Sequence, residues 1–212
     1  MSLNNRIFDL SLWGVVLGNA LSIVLALVQG WDMGEIMWVY WGQSIIIGLA
    51  NALRIFNLKE FSTENFQMND QPVEATPQTK REVGVFFLIH YGMFHFVYAV
   101  FLWQELPLNT IAEQDLFLLM LCVMGFMVSH FFSLAHNFGQ DFKHKKPNIG
   151  TLMFYPYLRI IPMHLTIIFG HAMDQSAMVL FMILKTLADA GMHMIEHHLF
   201  RKPRKGPLRL KD

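Results

Sequence analysis

Between Ala177 and Phe200 the sequence is largely apolar, yet Lys185, Asp189, His193 and His197 recur in it at every fourth position. Residues i and i+4 lie on neighbouring turns of one helical face, so these four form a single polar stripe on an apolar helix. Such a stripe does not face hydrocarbon. A charged side chain at the centre of a bilayer costs roughly 2.5 to 3.5 kcal/mol on insertion scales, so residues of this kind turn inward and pair or bind something. The rest of the chain must supply the partner surface.

Composition says what surrounds that helix. The 212 residues are 54% hydrophobic and 15% charged, too apolar for an ordinary soluble domain and short enough for one bundle. Apolar runs near residues 10–29, 33–56, 82–103, 115–138, 149–171 and 177–200 each reach the ~20 residues that cross a roughly 30 Å hydrocarbon core. The expected fold class is therefore all-α, a polytopic membrane bundle of six transmembrane helices in which residues 1–212 form a single transmembrane domain. The first run lacks the basic start and cleavage site of a signal peptide. Residues 57–81 (NLKEFSTENFQMNDQPVEATPQTKR) are polar with two prolines and read as a cytoplasmic loop, in part without regular structure; residues 201–212 read as a basic cytoplasmic tail. Pro156 and Pro162 free the carbonyls of Leu152 and Leu158, which predicts a kink in the fifth run. The one cysteine, Cys122, lies in an apolar run and leaves neither a disulfide framework nor a cysteine metal site.

Charge placement agrees with this count of spans. Of the 16 Lys and Arg, only Arg159 and Lys185 fall in the interior of apolar runs; the others lie at or beside the first terminus, the second loop, which Arg54 flanks, the fourth loop and the tail. The intervening loops carry acidic residues instead, among them Asp32, Glu35, Glu105 and Asp174. The positive-inside rule then predicts both termini in the cytoplasm, and Trp31, Trp38, Trp41 and Trp103 fall at the opposite ends as an interfacial belt. With no targeting segment in view, a bacterial inner membrane is the expected location.

Depth along the predicted helices groups the histidines. His90, His130, His193 and Arg159 fall about seven to ten residues from the cytoplasmic ends, roughly 10 to 15 Å deep. His95, His164 and Asp189 fall somewhat deeper. Neutral imidazole is a common ligand for zinc, iron and copper, and histidines at i and i+4 such as His193 and His197 can reach one ion from one face. The expected metal ligands are His90, His95, His164, His193 and His197. His90 and His95 lie about 140° apart around an ideal helix, so they share a site only if it is wide, dinuclear or distorted, and His95 is the first to drop. Asp189 is a ligand, a general base or the acceptor that orients a ligating histidine. Alternatively Lys185 and Asp189 neutralise one another as an i, i+4 pair. Arg159 stays protonated and must find an acceptor, a water cavity or an anionic group. Tyr157, the Phe-rich stretches and the 15 methionines read as packing.

HYGMFH, with His90 and His95, and HMIEHH, with His193, His197 and His198, resemble the histidine boxes of membrane fatty-acid desaturases and hydroxylases. That resemblance implies that these five histidines hold two irons and activate oxygen. A third box is not found at the spacing of His130 and His136. His193 and His197, with His90, also resemble the zinc ligands of the seven-helix hydrolases that include alkaline ceramidases and adiponectin receptors, which implies zinc-dependent hydrolysis; their Ser-x-x-x-His element is absent. Taken together, HYGMFH, YPYLRIIPMH and ADAGMHMIEHH are similar to an uncharacterised bacterial membrane family, which implies no activity.

The expectation is thus a membrane metalloprotein, a metal-dependent enzyme acting on a lipid or other apolar substrate. Zinc or iron would activate water or oxygen, Asp189 would handle a proton, and Arg159 or Lys185 would hold an anionic group. Two rivals stand beside it: an ion, proton or metal transporter using the same stripe, and a bis-histidine haem protein. Membrane lipids are the expected partners. Nucleic acid is not, because topology already accounts for the basic residues.

Overall fold

The computed structural model of the chain describes residue 24 and residues 26–31, 33–105, 107–137, 146–169 and 174–200; for 129–137, 166–169, 174–179, 193 and 196–200 it describes the backbone alone. Most of the first predicted span, the loop at 138–145 and the basic tail lie outside these residues.

Helix α1, Met33–Asn57, has Glu35 in its first turn and Arg54 in its last, both signs favourable to the helix dipole. Its inner face runs through Tyr40, Ser44, Ile47, Asn51 and Ile55. Helix α2, Pro77–Glu105, starts where Pro77 supplies a fixed φ and Thr76 caps it, its Oγ1 accepting from the Thr79 amide at 3.1 Å. Val83, Phe87, Tyr91, His95, Tyr98 and Leu102 line its buried face at helical spacing.

Two glycines let α1 and α2 approach closely. A Cβ at Gly48 would collide with the Tyr91 ring, and one at Gly84 would lie 2.6 Å from the ring of Phe56. The opposite face of α2 is apolar and open, with Ile89, Phe96 and Trp103 each more than three-fifths exposed. Helix α3, Glu113–Asn137, packs on α1, and Trp31 Nε1 donates to Asp115 at its start.

The loop between α1 and α2 is more ordered than the sequence predicts. Gln67–Met68 (β1) and Gln71–Pro72 (β2) pair as a two-residue antiparallel hairpin, joined by Asn69 and Asp70 at φ of 50° and 59°. Both are left-handed, as a tight primed turn requires and as Asn and Asp tolerate. Ser62 then bonds through its backbone to Pro147 and Ile149, tying the loop to the start of the next helix.

The fifth predicted run is divided. It folds as α4 (Ile149–Phe154), a 3-10 segment (Tyr155–Arg159) and α5 (Ile160–Phe169). Pro156 has no N–H to give Leu152, so the ladder yields to a tighter turn. The freed Leu152 carbonyl accepts instead from Asn51 Nδ2 of α1 at 2.9 Å. Helix α6, Asp174–Phe200, packs on the 3-10 segment and α5.

Among the described residues two helices, Met33–Asn57 and Pro77–Thr110, are long and apolar enough to cross a membrane. The bundle of six spans expected from the sequence is therefore not supported. Division at Pro156 leaves helices of 6 and 10 residues where one span was expected. In α6 the charges of Asp174, Lys185, Asp189 and Glu196 dilute the apolar run.

Candidate functional site

The most polar part of the described interior forms where the 3-10 segment meets α6. Arg159 ends that segment and is 2% exposed. Its Nη1 donates to Asp189 Oδ1, while Lys185 Nζ donates to the other oxygen, Oδ2, at 3.2 Å. Lys185 and Asp189 are one turn apart on α6, so a single helix presents cation and carboxylate side by side.

Tyr40 of α1 forms the floor. The Arg159 guanidinium carbon lies 4.3 Å from its ring centroid and Lys185 Nζ lies 5.4 Å away, placing two cations against one aromatic ring. The Tyr40 hydroxyl donates to the Arg159 carbonyl at 3.1 Å, so one side chain fixes both ends of the arginine. Phe181 of α6 supports the tyrosine edge-on at 5.2 Å. Burial pushes the Lys185 ammonium below the ordinary lysine value, and Asp189 pulls it back up. Arg159 Nε and Nη2 are buried and meet no acceptor among the described residues.

The described histidine side chains hydrogen-bond to partners outside this cluster. His90 Nδ1 bonds the Tyr157 hydroxyl at 2.8 Å, and His164 Nδ1 bonds the Tyr98 hydroxyl at 3.0 Å. His95 is buried and its Nδ1 donates to the Tyr91 carbonyl of its own helix at 2.9 Å, which leaves Nε2 as the acceptor nitrogen of the neutral ring. The Tyr91 hydroxyl in turn bonds Ser44. Among the described residues no three His, Cys, Asp or Glu side chains stand where they could hold one metal ion. The side chains of His130, His193 and His197 lie outside the described residues.

Of the predicted site residues, the structure thus unites Arg159, Lys185 and Asp189. His90, His95 and His164 go to three different partners. No sequence signal paired Tyr40 with Arg159, 119 positions away. Tyr157 packs among aromatic rings as expected, and its hydroxyl is also bonded to His90.

Comparison with known proteins adds a family. No curated protein and no solved structure matches the chain. A family model described as a family of unknown function, DUF6498, matches residues 1–206. Because that match spans nearly all of the 212 residues, the chain belongs to the DUF6498 family.

Proposed function

We propose that the protein is a membrane-associated ion or proton carrier that works through Arg159, Lys185 and Asp189. The observation that carries this reading is the cluster itself: Asp189 bonded to both Arg159 and Lys185, none of the three side chains more than 10% exposed, packed against α1, a helix long and apolar enough to span a bilayer. Structural stability alone is a poor reason to keep such a group, since buried ion pairs are often replaced by apolar residues without loss. Ionisable residues in an apolar helical setting otherwise mark ion pathways and proton relays.

The test is flux. Purified protein in liposomes containing a pH-sensitive dye is expected to speed the decay of an imposed proton or salt gradient over empty vesicles. Asp189→Asn is expected to abolish the gain. Wild-type vesicles that decay no faster than empty ones remove the carrier reading.

A metal centre is the second reading, and one observation favours it. The backbone of α6 is continuous from Asp174 to Phe200, which keeps Asp189, His193 and His197 on one face at successive turns. Metal analysis of the purified protein is expected to find zinc or iron that His193→Ala and His197→Ala each lose and that His144→Ala, in the basic stretch FKHKKPN before α4, keeps. Equal metal in all three variants would take α6 out of any such centre.

A further inference from the structure

We infer that Arg159 is the seat of an oxyanion, a carboxylate or phosphate group that binds along the Nε and Nη2 edge of its guanidinium. The inference takes up the ion-carrier reading and narrows the ion to an anion. A guanidinium offers five N–H donors in a fixed plane, and the pair on Nε and Nη2 has the spacing of two oxygens of a carboxylate or phosphate. Asp189 occupies Nη1, on the other end of the fork. The Tyr40 ring covers the flat face, which satisfies charge but accepts nothing from the edge.

That leaves the one edge shaped for a bidentate partner, buried within a side chain 1% exposed, with no acceptor among the described residues. Leaving charged donors in that state is costly, and a two-oxygen anion is the group that removes the cost at both nitrogens together. Lysine would not serve here, because its ammonium presents a point charge rather than a fork. Lys185 lies against the same tyrosine and adds positive potential without competing for the edge.

The oxyanion can arrive free or as a lipid headgroup, and titration calorimetry of the full chain in a neutral detergent separates the two. One arm adds inorganic phosphate and the other adds a short-chain phosphatidic acid. Saturable binding in the phosphate arm assigns a free anion; binding in the lipid arm alone assigns a headgroup; binding in neither overturns the inference. Arg159→Lys, which keeps charge and loses the fork, is expected to weaken binding roughly ten- to a hundredfold. Unchanged affinity in that variant also overturns the inference. Where Arg159→Lys does not fold, Asp189→Asn carries the test. With the competing carboxylate gone the guanidinium is expected to bind the oxyanion about tenfold more tightly, and affinity equal to wild type counts against the seat. Binding in detergent needs no transport, so an oxyanion that binds to a protein without flux refutes only the carrier, and flux without binding refutes only the seat.

Discussion

Asp189→Ala is expected to destabilise the protein by about 3 to 5 kcal/mol, read as a lower denaturant midpoint in neutral detergent. The carboxylate contacts Arg159 through one oxygen and Lys185 through the other, and both cations are nine-tenths buried or more. Removing it leaves two positive charges against one tyrosine ring, in a place where water cannot repay the loss. The Coulombic origin of the effect has its own check. Replacing Arg159 and Lys185 by methionine in the same chain as Asp189→Ala is expected to restore most of the stability, because a cluster removed whole carries no orphaned charge. An Asp189→Ala protein as stable as wild type would mean that the three groups do not depend on one another.

Phe181→Ala is expected to cost about 3 to 5 kcal/mol as well, for an apolar reason. Phe181 is fully buried and stands edge-on to Tyr40, so its loss opens a cavity directly behind the ring that carries Arg159. Phe86→Ala supplies the comparison. That ring is half exposed on α2, and its removal is expected to cost well under half as much. Equal losses at the two positions would show that the support of Tyr40 does not depend on burial.

Several features of the site were written in local sequence, and others needed contacts the sequence does not announce. The Lys185 and Asp189 pairing follows from four-residue spacing on a helix, a relation that holds wherever the helix goes. The need of Arg159 for an acceptor follows equally from its permanent charge. That the acceptor is Asp189, 30 residues on, depends on how α6 lies across the 3-10 segment. Spacing also showed His90 and His95 pointing apart, and the structure sends one to Tyr157 and the other to the Tyr91 carbonyl of the same helix. Hydropathy counted spans by length alone. It anticipated a bend at Pro156 but not that the run would divide, because division became tolerable once Asn51, 101 positions earlier, took up the stranded carbonyl of Leu152.

By itself, then, the sequence determined the helical character of the chain, the i, i+4 stripe of its last helix and the places where proline must break the backbone ladder. Those are short-range consequences of periodicity and of missing donors. Only the tertiary structure decided that Tyr40 underlies two cations, that Asp189 is the acceptor for Arg159, and that the edge of Arg159 is buried without an acceptor among the described residues. Each of those depends on groups far apart in sequence meeting at a few ångströms, and pattern along a chain carries no record of such distances.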